Sequence, residues 1–250
     1  MKVVVIGGTG LVGSKVVERL NAHGHEAVPA SPQSGCNTVT GEGVDEALAG
    51  ADVVVDVSNS PSFADDDVLS FFTTSTANLL EAEERAGVQH HVAVSIVGCD
   101  RLPDSGYLRA KVAQEMLIRE SGRPYSIVRA TQFFEFTKSI ADGSTIDGKV
   151  HLAPVHYQPM ASDDVAAAVA RAAAGTPRNG VLEIGGPEPL RMDEFIPAVL
   201  KENGDERDVV VDEHARYFGT ELDDDSLVPG PGAELGAVGY REWAERRATA

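Results

Sequence analysis

Only two cysteines occur in the 250-residue chain, Cys36 and Cys99, and they are far apart in sequence. Neither a disulfide framework nor a thiolate metal motif can be built from them, so structural thiols are expected. Basic residues are also scarce. Against 39 Asp and Glu there are 21 Lys and Arg, a formal charge of −18, and a surface that negative repels phosphate backbones and argues against nucleic acid as a partner. No run approaches the roughly 20 apolar residues that span a bilayer, so no membrane partner is expected. The opening has one lysine and a five-residue apolar run ending in glycine, which does not make a signal peptide, and the expected compartment is the cytoplasm. The seven histidines include His90–His91 and the pair His151/His156 but no H-E-x-x-H and no clustered Cys or Asp partners, so no metal is expected. The acidic runs at 65–67 and 223–225 read as solvated loops or helix N-termini.

What the chain does have is alternation. Strand-like runs lie at 2–7, 25–30, 36–40, 52–58, 90–97, 125–130 and 181–186, and most are Val/Ile-rich and apolar at consecutive positions, as strands buried on both faces should be. Helical patterns fall between them at about 11–23, 43–49, 65–86, 107–121 and 163–174. Gly24, Gly50, Gly87, Gly122 and Gly175 each follow one closely. This order predicts an α/β fold: a doubly wound, Rossmann-type parallel sheet with helices on both faces. The whole of 1–250 reads as one domain, in which the less regular part from about residue 131 forms a small substrate lobe over the sheet's C-terminal edge. There is no internal repeat.

Between the first strand and first helix, Gly8-Thr9-Gly10-Leu11-Val12-Gly13 fits G-x-G-x-x-G, and Gly7 adds a fourth glycine. In that setting Gly7 and Gly8 permit a sharp turn, Gly10 lets backbone approach a pyrophosphate, and Gly13 allows close helix–strand packing. Free N–H groups at the helix start would hold the phosphates. At the end of the second strand, 29–35 carries neither an acid for a ribose 2′-hydroxyl nor an Arg for a 2′-phosphate. A missing carboxylate removes a repulsion, and Ser31 or Ser34 could donate to phosphate, so NADP is expected over NAD, with NAD possible.

Tyr107-x-x-x-Lys111 places a phenol and an ammonium on one helix face. An ammonium beside it would lower the phenol's pKa, suiting Tyr107 to protonate a carbonyl oxygen while hydride reaches the carbon. Lys111 could also bond the nicotinamide ribose. Ser95, ending a strand twelve residues earlier, could polarise the same carbonyl. The alternative is a helix-surface Lys111–Glu115 pair with Tyr107 covering an edge. Phe133, Phe134 and Phe136 follow the sixth expected strand. They read equally as aromatic walls for a quinone, enone or polyketide-like ring or as core of the lobe. His151, His156 and Tyr157 precede a scaffold helix and could reach the pocket.

The runs "VIGGTGLVGSKVVERL", "YSIVRATQFFEF" and "GGPEPL", with Ser95, Tyr107 and Lys111, resemble an atypical short-chain dehydrogenase/reductase of the NmrA-like, NAD(P)-binding kind, over nearly the whole chain. That resemblance implies pyrophosphate contacts from Gly7, Thr9, Gly10, Leu11 and Val12. It also implies that Ser58 and Asn59, ending the fourth expected strand, line the cofactor ribose. Two departures stand out: "VSNSPS" (57–62) replaces the Asn-Asn-Ala-Gly segment of the main branch, and Asn78 is the only nearby candidate for the helix asparagine of a catalytic tetrad. The expected function is an NAD(P)H-dependent reductase of an apolar or aromatic small molecule, with a homodimer left open. The alternatives are a dinucleotide-sensing regulator without turnover and an epimerase or isomerase that retains its cofactor.

Overall fold

The computed structural model describes residues 1–248. The first half follows the expected alternation: β1 (Lys2–Ile6), α1 (Leu11–Ala22), β2 (Glu26–Ala30), α2 (Val44–Leu48), β3 (Val53–Asp56), α3 (Asp65–Ala86), β4 (His90–Ile96), α4 (Gly106–Glu120) and β5 (Tyr125–Ala130). Then come α5 (Thr137–Gly143), β6 (Thr145–Ile146), β7 (Lys149–Leu152), β8 (His156–Tyr157), α6 (Ser162–Ala174) and β9 (Gly180–Gly185). The chain closes with β10 (Leu190–Arg191), α7 (Met192–Glu202), β11 (Val209–Val211), β12 (Glu234–Leu235) and α8 (Tyr240–Ala248). Four of the five glycines expected to end helices, Gly24, Gly50, Gly87 and Gly122, have the left-handed backbone that stops a helix.

One seven-stranded sheet, ordered β12-β9-β5-β4-β3-β1-β2 and parallel throughout, forms the middle layer. Val3, Val5, Val55, Val92 and Val128 point to one face, where Val16 and Leu20 of α1 and Val165 and Val169 of α6 cover them. Val4, Ile6 and Val54 point to the other, against Leu48 of α2 and Leu79 and Ala82 of α3. Ala93 and Ile127 meet Ile118 of α4 on that side. Consecutive apolar residues are what such double coverage requires.

The run at 36–40 is not a strand. Its Thr and Val suit a sheet, but the Asn37 side chain accepts the amides of Val39 and Thr40 at 3.0 and 3.3 Å and folds the run into a turn. The sheet's seventh strand is instead β12, two residues at the far edge. Ser58 and Asn59 accordingly follow the third strand, not a fourth. Beyond β5 the chain builds an accessory layer of two small sheets, β10-β8 and β11-β7-β6, around Leu152, Tyr157, Ile196 and Leu227. Within it, α6 and β9 return to the main sheet.

All strands being parallel, their C-terminal ends share one edge. The order reverses between β1 and β3, and there the loops after the two strands must part and leave a crevice.

Candidate active site

The turn after β1 is compressed to the limit of backbone contact. A Cβ on Gly13 would sit 2.2 Å from the Gly7 carbonyl oxygen, and one on Gly8 would meet Pro29 Cα of β2 and the Val5 carbonyl at 2.6 Å. Gly7 has φ +75°, with the Ser58 amide 3.0 Å from where its Cβ would be. Gly10 differs: its Cβ would touch only the Gly7 oxygen, at 3.3 Å, and would otherwise stand in the open. As N-cap of α1, Gly10 brings no side chain to satisfy the helix start. The amides of Leu11, Val12 and Gly13 therefore have no partner inside the helix. Thr9 and Gly10 are exposed at the rim. A cradle of free N–H groups at a helix N-terminus, floored by glycine, fits a dinucleotide pyrophosphate.

At the end of β2, Ser31 is buried and its hydroxyl has no hydrogen-bond partner. Ser34 is spoken for: its hydroxyl accepts the Ser31 amide and donates to the Ser31 carbonyl, both at 2.9 Å. Of the two serines expected to meet a phosphate, only Ser31 has a proton to give.

Past β3, the buried Asp56 carboxylate accepts the Ser58 hydroxyl at 2.6 Å and the Ser58 amide at 2.9 Å, which bends the chain sharply beside Gly7. The next residue, Asn59, accepts the Tyr107 hydroxyl at 3.0 Å. Tyr107 lies in the first turn of α4, whose Ser105 cap accepts the Leu108 amide at 3.4 Å. Rings enclose the phenol: Phe63 edge-on at 5.3 Å, Phe218 stacked at 5.3 Å and Phe72 tilted at 6.2 Å. Burial pushes its pKa up to about 12, with the Asn59 hydrogen bond pulling the other way. The expected lowering by an adjacent ammonium is not found.

Lys111 is buried, and its Nζ is turned to the sheet. It donates to the Val94 carbonyl at 2.8 Å and to the Gln114 side chain, and lies 4.2 Å over the Phe72 ring. Gln114 in turn donates to Asp56 at 2.9 Å, a polar chain from the lysine to the loop that carries Ser58 and Asn59. Burial lowers the Lys111 pKa to about 8, against the opposing charges of Asp56 and Glu115. The surface pair Lys111–Glu115 is not formed. Glu115 accepts both Nε and Nη2 of Arg129 at 2.8 Å and Arg119 at 2.9 Å.

Ser95 joins that buried network instead of the phenol. Its hydroxyl donates to Glu115 at 2.7 Å, so the proton expected to polarise a carbonyl is already committed. Asn78 is likewise elsewhere, donating to the Thr38 and Val39 carbonyls and holding the 36–40 turn. The asparagine beside the tyrosine comes from a loop and not from a helix.

Phe134 is core, packed with Ala161, Val238 and Trp243, and is not a pocket wall. Phe133 and Phe136 stack on each other at 5.4 Å, with Phe133 half-buried. His151 pairs with Asp212, His156 with Asp224, and Tyr157 fills the accessory core. The aromatic surroundings of Tyr107 come from residues that the sequence did not mark: Phe63, Phe72 and Phe218.

Fold and glycine turn together define a dinucleotide-binding α/β protein. Residues 7–175 match the NAD(P)H-binding family, and the chain belongs to it. It is 30% identical over 207 residues to (4-alkanoyl-5-oxo-2,5-dihydrofuran-3-yl)methyl phosphate reductase of Streptomyces griseus, covering 75% of this chain and 69% of that protein. It is 24% identical over 191 residues to photosystem II assembly factor Ycf39 of Synechocystis, covering 69% of this chain and 58% of that protein. A short-chain dehydrogenase/reductase superfamily protein from Agrobacterium tumefaciens, solved with bound NAD, shares the fold with a TM-score of 0.73 at 18% identity, over 100% of this chain and 96% of that one.

Proposed function

We propose that the chain is an NAD(P)H-dependent reductase of a carbonyl, enone or quinone-type small molecule, with Tyr107 as its acid. The observation that carries this reading is one continuous line of contacts. Gly7 abuts the Ser58 amide, and the neighbouring Asn59 holds the Tyr107 hydroxyl. Phosphate cradle and proton donor are thus tied to the same loop between β3 and α3.

Gly7, Thr9, Gly10, Leu11 and Val12 would hold the pyrophosphate, and Ser58 and Asn59 the ribose. Ser31, with its unpartnered hydroxyl and no carboxylate nearby in 29–35, favours the 2′-phosphate of NADP over NAD. When bound, the reduced coenzyme supplies a hydride to the electrophilic carbon. Tyr107 supplies the proton to the oxygen, and its high pKa keeps it protonated throughout the neutral range. Lys111, one turn along the helix, is cationic below about pH 8 and holds Gln114, which in turn bonds Asp56 beneath the loop that carries Asn59. The Streptomyces relative, named as the reductase of an alkanoyl-substituted oxo-dihydrofuran, supports a conjugated carbonyl substrate.

Separate titrations of NADPH and NADH, followed by fluorescence, test the coenzyme. Tyr107→Phe is expected to lower kcat by about 10²–10⁴ while the coenzyme Kd stays within about twofold. A wild type that binds NADPH but oxidises none with any of a broad carbonyl and quinone panel overturns the reductase reading. The second reading, a dinucleotide-binding protein that serves a protein partner, draws on the Ycf39 relative, named as an assembly factor. It predicts coenzyme binding without turnover.

A further inference from the structure

Gln132 lies just beyond β5 and is 7% exposed, yet neither its side-chain oxygen nor its nitrogen has a hydrogen-bond partner. An amide buried in that state is costly, and such groups are rare unless a ligand completes them. Tyr217 links it to the tyrosine site. The Tyr217 hydroxyl approaches the Gln132 amide without completing a bond of normal geometry, and Tyr217 lies within electrostatic reach of Tyr107.

The next residue makes the case specific. Tyr217 and Thr220 pair as an antiparallel bridge, with mutual backbone bonds of 2.8 and 3.1 Å, so Phe218-Gly219 is a two-residue hairpin turn. Both turn residues have left-handed backbone, φ +46° and +85°. Such turns select Asn or Gly at the first position, and a bulky aromatic there is strained. No core holds Phe218 in place: it is 41% exposed and stacks on the Tyr107 ring, while Phe63, 53% exposed, stands 5.7 Å away. Two solvent-facing rings and a strained turn are thus spent on covering one phenol.

We propose that Gln132 and Tyr217 form the polar end of a substrate subsite whose flat walls are Phe63 and Phe218, and that it takes a planar conjugated ring carrying an oxygen function. The inference rests on the reductase reading and names the substrate class of the same site. Gln132 can donate to a carbonyl or accept from a hydroxyl. The two phenylalanines provide ring faces for stacking.

The test compares 2-naphthol with 2-methylnaphthalene, equal in shape and differing in the oxygen, by equilibrium binding to the NADPH-loaded protein. Wild type is expected to bind the naphthol about tenfold tighter. Gln132→Leu is expected to erase that preference with methylnaphthalene affinity held within about twofold. Phe218→Asn, which relieves the turn, is expected to raise the melting temperature yet weaken both ligands about tenfold. Equal binding of the two compounds by wild type, or a preference that survives Gln132→Leu, overturns the subsite. A Phe218→Asn protein that keeps full ring affinity does the same. Because binding needs no turnover, a protein that shows the preference but reduces nothing loses the reductase reading alone. One that reduces a quinone panel but shows no preference loses the subsite alone.

Discussion

Lys111 is a residue whose placement costs stability. The residue is 3% exposed, and burial holds its pKa down to about 8 against an ordinary value near 10.5. Because the folded pKa is lowered, the unfolded chain binds more protons between pH 8 and 10.5, and stability rises with pH across that window. Below pH 8 the full penalty of a buried charge is present. Lys111→Met is therefore expected to stabilise the protein at pH 7 by about 1–2 kcal/mol in thermal or denaturant unfolding, while turnover is lost. The gain should fade as the pH approaches 10.5. If Lys111→Met instead destabilises at pH 7, its bonds to Val94 and Gln114 outweigh the charge penalty. Burial alone does not make a cation costly. Arg129, also buried, is held by two bonds to Glu115 and one of 2.7 Å to Asp100, so its charge is compensated where it lies.

At the scale of elements, the turn between β1 and α1 separates glycines that the fold needs from one that a ligand needs. Gly13→Ala drives a methyl into the Gly7 carbonyl and is expected to cost about 3 kcal/mol, read as a lowered denaturation midpoint. Gly10→Ala meets nothing closer than 3.3 Å and should leave the midpoint nearly unchanged, while NADPH affinity falls about tenfold or more. Equal losses of stability in the two variants would contradict this division. The same turn was readable in the sequence because its physics is local: strand, glycine spacing and helix lie within twenty residues. The helix at 65–86 was equally legible, since a long periodic run ending in glycine leaves little choice. The 36–40 run was misread because one Asn side chain outbid the β-branched residues around it. Residues that depend on tertiary approach were not legible. Phe218 reaches Tyr107 from a hairpin far along the chain, and nothing in its neighbourhood marks it. Asp56, an acid closing an otherwise apolar strand, did carry a signal, though not one that pointed to Gln114 or Lys111. Ser95 failed for a similar reason: its position at a strand end was clear, but its partner Glu115 was set by the packing of α4.

For the whole molecule, the start of β4 builds acid sensitivity into the sheet. His90 and His91 are both buried, side by side, with opposite tendencies. Burial, and then the charge of His91, lowers the His90 pKa to about 4, while Glu83, bonded at 2.7 Å, raises that of His91. His90 folds as the neutral ring, so the stability it permits is present above about pH 6.5 and is lost as the pH falls toward 4. His91 has the reverse sense: its contribution is complete below pH 6.5 and is lost above it as the pH rises through its raised pKa. The interval from 6.5 down to 5 thus belongs mainly to His90. Unfolding measured across it is expected to show a loss of about 2 kcal/mol that His90→Gln largely removes. A wild-type stability that is flat over that interval would show that His90 protonates without strain.

The last helix has a practical bearing on handling the protein. Trp243 donates its indole N–H to Glu135 at 3.0 Å, and Glu135 also accepts the Ser162 hydroxyl at 2.6 Å, so α8 is pinned to the strand exit that carries Gln132. Trimming the chain before Tyr240 to aid crystallisation would bare Phe134 and slacken the segment three residues from Gln132.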